Sequence, residues 1–129
     1  MPLQDLQVIK SQLEEEMDKL STSFGQLRTA GTKYSASRAA LDNLSEGEVL
    51  VPLTSSLYVP GTVVDSNNVL VEVGAGYYVN KQKQQAKEFC ERKIKMLREN
   101  MDKVSNLITQ RKRTLEAVVQ NIQKKSSQS

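Results

Sequence analysis

The sequence predicts an α+β protein: a long antiparallel coiled-coil helical hairpin with a double β-hairpin insert at the bend. Three observations carry that prediction. Two charged segments of just over forty residues each show heptad spacing. Between them, residues 49–79 hold 17 apolar residues of 31, no Lys or Arg, and only Asp65 and Glu72 as acids. Short turn-forming clusters cut that neutral stretch into β-branched runs of strand length. The chain reads as a single unit over residues 1–129. It comprises an N-terminal coiled-coil helix over 3–44, a β-hairpin module over 49–79, a C-terminal coiled-coil helix over 82–125 and a flexible tail over 126–129.

Composition agrees. Apolar residues make up 38% of the 129 and charged residues 26%, with no Trp. Long helices that bury a stripe need no more than that. The charge is uneven. Residues 1–48 carry 5 basic and 8 acidic side chains, and residues 81–129 carry 13 and 5. A lone cysteine, Cys90, excludes an intrachain disulfide and fits a reducing compartment. Residues 1–5 lack the basic start and apolar run of a signal peptide, and no stretch approaches the ~18 apolar residues of a spanning helix. The expectation is a soluble protein of the cytoplasm, with the nucleus as a second location and no membrane partner. With no histidine anywhere, the usual general base and the commonest metal ligand are missing. No nucleophile–base pair and no metal cluster stands in the sequence. The reading is therefore no enzyme, no cofactor and no metal.

In the first helix, Leu6, Leu13, Leu20, Leu27, Tyr34 and Leu41 recur every seven residues. The companion register, Leu3, Lys10, Met17, Phe24, Gly31 and Arg38, starts well and degrades. Heptads sustained this far predict a coiled coil about 60 Å long. Gly25 and Gly31 each cost roughly 1 kcal/mol inside a helix, so softness is expected near Gly31. Gly47 is expected as the left-handed residue just past the helix. The second helix is cleaner: Cys90, Ile94, Leu97, Met101, Val104, Ile108, Arg111, Leu115, Val118 and Ile122 keep a 4-3 spacing that only Arg111 breaks. If Leu44 faces Gln82, paired residue numbers sum to 126. Glu14–Glu16 then lies level with Arg111–Arg113, so an acidic run meets a basic one and favours that register.

The insert reads as strands over Val49–Leu53, over Leu57–Val59 with Thr62–Val64, over Val69–Val73 and over Tyr77–Val79. Pro60-Gly61 has type II turn chemistry. Gly74-Ala75-Gly76 suits a hairpin tip and is no nucleotide fingerprint. Asp65–Asn68 either turns the second hairpin or links the two. Pro52 cannot donate to a ladder, so its strand is an edge or bulges there. Isolated hairpins are marginal in water, and a slender coiled coil offers little to pack on. Yet this is the most apolar part of the chain, and its edges are open. The physical resolution is pairing with other chains. The predicted assembly residues are Val49, Val51, Leu53, Leu57, Tyr58, Val59, Val69, Val71, Val73, Tyr77, Tyr78 and Val79.

The segment Val51-Pro52-Leu53-Thr54-Ser55-Ser56-Leu57-Tyr58-Val59-Pro60-Gly61, followed by Val73-Gly74-Ala75-Gly76-Tyr77-Tyr78-Val79, resembles the prefoldin α-class subunits, and among them the eukaryotic subunit 5 type. The resemblance covers nearly the whole chain, and its specific part is the β segment. It implies a hetero-hexamer of two α-class and four β-class subunits, with an intersubunit β-barrel and coiled coils hanging from it. It implies ATP-independent capture of unfolded proteins, notably actin and tubulin, and delivery to the cytosolic chaperonin. The arms are short compared with many relatives of that type, so contacts made by longer tails are not carried over. Both termini of such subunits meet at the tip, which makes Leu3, Leu6, Ile9, Val118, Val119 and Ile122 the candidate client-binding residues. Leu6, Val118 and Ile122 also fit the seam, whereas Ile9 and Val119 fall outside it and are expected to stay partly exposed. Cys90 is expected to pack in the seam. The basic second helix is expected to be a solvated face, with no nucleic acid as partner. Two function classes stay open on the residues: a chaperone subunit, and a coiled-coil adaptor or transcriptional-regulator-binding protein acting outside the hexamer.

Overall fold

A computed structural model describes residues 2–52, 54 and 56–128. Helix α1 spans Leu3–Asp42 and helix α2 spans Lys83–Gln128. Between them lie β1 (Gly47–Pro52), β2 (Tyr58–Val63), β3 (Asn68–Gly74) and β4 (Tyr77–Gln82). The strands form two separate two-stranded sheets, β1–β2 and β3–β4, both antiparallel. The predicted fold class is the observed one. The chain divides into two compact units, Met1–Gly31 with Lys95–Ser129, and Thr32–Ile94. Among the described residues no helix is long and apolar enough to cross a membrane.

The heptads do what their spacing predicts. All twelve positions of the two α1 registers, and all ten named on α2, are buried or half-buried. In the helix-end unit, Leu6, Leu13 and Val118 form a buried cluster on which Ile9, Leu115 and Ile122 pack. Glu16 Oε2 accepts from Arg111 Nε at 2.8 Å, so the acidic run does meet the basic one. In the strand-bearing unit, Cys90 and Ala86 are buried, and Tyr34 meets Phe89 edge-to-face at 6.4 Å.

The α1 terminus differs from the prediction. Asn43 ends the helix, its backbone N–H donating to Ala39 and Ala40 and its side-chain amide to Ala39. These bonds satisfy carbonyls that a helix end otherwise leaves open. Gly47 does have positive φ (126°), but it opens β1 instead of capping the helix. At the other end, α2 continues to Gln128, past the residue 125 expected from the heptads. Nothing in this stretch breaks a helix, and Ser127 Oγ donates back to the Lys124 carbonyl at 3.0 Å. The 126–128 part of the expected flexible tail is thus helical.

Pro60-Gly61 is the second correction. It forms no turn and lies inside β2, with Pro60 opposite Leu50 and Gly61 opposite Val49. A type II turn needs a glycine at positive φ, and Gly61 is not among the positive-φ residues. The first hairpin turns between Pro52 and Tyr58 instead, where Thr54 N–H donates to the Leu57 carbonyl at 3.3 Å. Gly74-Ala75-Gly76 turns the second hairpin as expected, with Ala75 at φ 49° and Gly76 at φ 77°. Asp65 links the hairpins: its carboxylate accepts from Asn67 N–H at 2.9 Å and from the Asn68 amide. These bonds hold its carboxyl below the usual carboxylate range.

Candidate functional site

Two surfaces stand out, one in each unit. The first is built by the strands. A two-stranded sheet has two edges and two faces, and helices cover little of these. Among the described residues, twelve of the fifteen exposed large apolar side chains lie between Val49 and Val79. Among the predicted assembly residues, Val49, Val51, Leu57, Tyr58, Val59, Val73, Tyr77, Tyr78 and Val79 are exposed. Leu53 lies outside the described residues. Val69 and Val71 are half-buried. With Tyr34, Leu41, Leu44, Ala86, Phe89 and Cys90 they line an open cleft of about 390 Å³ in the strand-bearing unit. Their face of β3 is thus partly used within the chain.

The prediction missed the three most open aliphatic residues of the strand region among the described residues: Val64 at 86%, Leu70 at 71% and Leu50 at 68% exposure. Leu50 and Leu70 sit on the opposite parity from Val49/Val51 and Val69/Val71, because side chains alternate across a strand. The signal was present. Runs without polar alternation, such as Val49-Leu50-Val51, mark strands meant to be covered on both faces. Val64 lies just past β2, at the start of the link between hairpins.

Polar ties fix the strands' attachment to the helices within the same unit. Lys83 N–H donates to the Asn67 carbonyl at 2.7 Å, and Lys83 Nζ donates to the Leu44 carbonyl at 2.9 Å. Gln85 Oε1 accepts from Gln82 N–H, half of a capping box at the start of α2. Arg38 bridges Glu91 at 2.8 Å and Asp42 at 3.0 Å, and Asp42 also takes Lys87. The Lys87 bond holds the Asp42 carboxyl below its usual range. Bonding to Glu91 pushes Arg38 up. Burial pushes the Cys90 thiol up as well, as expected of a packing residue rather than a nucleophile.

The second surface is the pair of helix ends. Leu6 and Val118 are buried in the apolar cluster, and Ile9 and Ile122 pack against it. Leu3 and Val119 are half-buried. The structure therefore brings Leu6, Ile9, Val118 and Ile122 together, mainly as seam. Ile9 and Val119, expected outside the seam, are half-buried to the same class as Ile122, and Ile9 packs on the cluster. The residue that sequence reasoning missed is Val8, 56% exposed. It lies in a shallow hollow lined by Gln4, Gln7, Ser11, Gln12 and Glu15. An apolar residue off both heptad registers was the available signal. No group of three or more His, Cys, Asp or Glu side chains is arranged for a metal among the described residues.

With this geometry described, comparison with known proteins becomes specific. Residues 13–128 match the prefoldin subunit family. The chain is 40% identical to human prefoldin subunit 5 over 130 residues, covering 98% of this chain and 84% of the human protein. It is 38% identical to probable prefoldin subunit 5 of Dictyostelium discoideum, covering 98% of this chain and 81% of that protein. Prefoldin subunit 5 of Arabidopsis thaliana is 39% identical over 116 residues, covering 87% and 77%. In fold, the chain resembles one in the cryo-EM structure of filamentous PFD from Methanocaldococcus jannaschii. The TM-score is 0.56 at 24% identity, over 91% of this chain and 94% of that one. Two long helices, two small hairpins between them and a near full-length match to subunit 5 relatives lead to one conclusion: the chain belongs to the prefoldin subunit family, whose members are subunits of a chaperone complex.

Proposed function

We propose that this chain is one subunit of a hetero-hexamer of two α-class and four β-class prefoldin subunits. In that assembly its strands join a β-barrel with those of its neighbours. Its paired helix ends hold unfolded proteins, actin and tubulin among them, without ATP, and pass them to the cytosolic chaperonin. The place of action is the cytoplasm, with the nucleus as a second location. The observation that carries this reading is the set of strand side chains open to solvent in two-stranded sheets, from Val49 to Val79. Exposed large apolar side chains concentrated in this way mark an interface. Unpaired strand edges add hydrogen-bonding capacity that other strands fill.

The helix ends support the capture role. Val8 and the open parts of Ile9 and Val119 offer apolar contact without a deep pocket. Such contact is weak alone and becomes useful when several arms act on one client. The test starts from a tagged copy of this chain, purified with its native partners and identified by mass spectrometry. The expected result is a complex containing other prefoldin subunits that suppresses aggregation of chemically denatured actin. The double variant Val8→Asp/Val119→Asp should assemble normally. It should raise the concentration needed for half-suppression roughly tenfold, equivalent to about 1.4 kcal/mol of lost contact. Unchanged suppression would remove the helix ends from the capture role. A tagged chain that brings down one folded protein and no other prefoldin subunit would instead support the adaptor reading.

A further inference from the structure

The basic charge of α2 is not spent inside the chain. In the helix-end unit the acidic run of α1 is committed: Glu14 to Lys10 at 3.6 Å, Glu15 to Lys19 at 3.5 Å and Glu16 to Arg111 at 2.8 Å. On α2, Arg111 is thereby paired. Lys112, Arg113, Lys124 and Lys125 make no ion pair among the described residues, and all but half-buried Lys125 are exposed. Arg113 and Lys124 are eleven residues apart, so about three helical turns bring them back to one face, roughly 16 Å apart along the axis. Ala117 and Gln120 lie on that face between them, both exposed and uncharged. The strip Arg113–Ala117–Gln120–Lys124 therefore has a cation at each end and a low middle, with exposed Glu116 flanking its Arg113 half and outnumbered by Lys112, Arg113, Lys124 and Lys125 around it. Beside its Lys124 end, Leu6, Asn121, Lys124, Lys125 and Gln128 surround a hollow of about 330 Å³.

We infer that this strip binds acidic, unfolded polypeptide segments. The inference deepens the capture role proposed above, rests on it, and names the class of client that this arm selects. An extended chain rises about 3.3 Å per residue and alternates its side chains, so two carboxylates four residues apart share one face about 13 Å apart, and the long Arg113 and Lys124 side chains reach both. Ala117 lets a peptide backbone approach the helix, and the Gln120 and Asn121 amides donate to and accept from its peptide groups. The hollow admits one side chain next to the second carboxylate. A folded acidic protein presents its carboxylates on a rigid surface and cannot lay main chain along the strip. The occupant is thus an unfolded segment.

The test uses the complex purified through this chain and three unstructured fluorescent peptides of equal length. One carries paired acids four residues apart, one is uncharged and one is basic. Anisotropy titrations should show the acidic peptide binding at least roughly tenfold more tightly than the uncharged one at low salt, an advantage that shrinks as salt screens it. The charge-reversed variant Arg113→Glu/Lys124→Glu should abolish that advantage and leave the uncharged peptide's affinity unchanged. Equal binding of acidic and uncharged peptides, indifferent to the reversal, would overturn the selectivity and leave capture standing. Failure to bind any peptide or denatured client would overturn capture itself. Binding of a folded acidic protein in preference to the acidic peptide would overturn the assignment to unfolded segments. A variant complex that lost subunits would be replaced by Arg113→Gln/Lys124→Gln, for which the same loss of acidic preference is expected.

Discussion

Gly61 shows how a single residue sets the packing of a strand pair. It lies opposite Val49 within β2, and a Cβ added there would stand 2.9 Å from Val51 Cγ2. Val51 is β-branched and stiff, so it cannot swing clear cheaply. Gly61→Ala should therefore destabilise the hairpin by about 1 kcal/mol, and Val51→Ala in the same chain should relieve most of that cost. Thermal melting of the four chains of that cycle checks the coupling. Asp42 makes a pH-dependent contribution. Its carboxyl is held below its ordinary 3.8 mainly by the Lys87 bond. A carboxylate with a depressed folded-state pKa stabilises the fold above its unfolded pKa and loses that contribution as pH falls through the folded value. Asp65 carries the same sign, through its bonds to Asn67 and Asn68. The melting temperature should accordingly be level near neutrality and fall below about pH 4. Asp42→Asn should flatten part of that fall, and an unchanged acid limb would remove Asp42 from the account.

At the scale of elements, the two helices differ in how well each specifies itself. α1 contains Gly25 and Gly31, and a Cβ at either would meet nothing within 4 Å. Nothing in packing requires a glycine there. Gly31→Ala should stabilise the folded chain by about 1 kcal/mol, read as a higher melting temperature by circular dichroism. No change would mean that α1 is held by packing alone at this point. The helices were the legible part of the sequence. Heptad spacing over forty residues outweighs two glycines, and both registers emerged covered as predicted. Strand existence was legible too, from β-branched runs between turn clusters. Turn placement was less so. Pro60-Gly61 carries the composition of a turn, but pairing with Leu50 and Val49 keeps it extended. Local chemistry was overruled by a cross-strand register that no local window contains. Exposed apolar residues were the least legible. Val8, Leu50 and Leu70 leave a mark in the apolar pattern, but how far they and Val64 stay uncovered depends on neighbours that no local window contains.

At the scale of the whole molecule, the chain is incomplete by physical criteria. Its strand surface is apolar where a monomer's surface is usually mixed, while its helices are amply charged. Among the described residues, Leu70 and Val64 are the most exposed aliphatic residues of the strand region, so they test assembly directly. Leu70→Glu/Val64→Glu should leave helix content intact and release this subunit from the complex, seen as a shift to smaller species in size-exclusion chromatography. Retention of the full complex would mean that neither side chain lies at an interface. Wild-type chain made without partners should self-associate at micromolar concentration. A monodisperse monomer would contradict the assembly role of the strands.

Leu6 and Val118 meet across nearly the full length of the sequence, and that separation orders events during synthesis. The hairpins need only local contacts and can close as soon as β4 leaves the ribosome. The α1 seam, with Leu6 and Leu13, has no partner until the far part of α2 has been translated. Throughout that interval the nascent chain displays both its bare seam and its unassembled strands, the very surfaces on which aggregation begins. A member of a chaperone-subunit family thus passes through a stage in which it needs shielding itself.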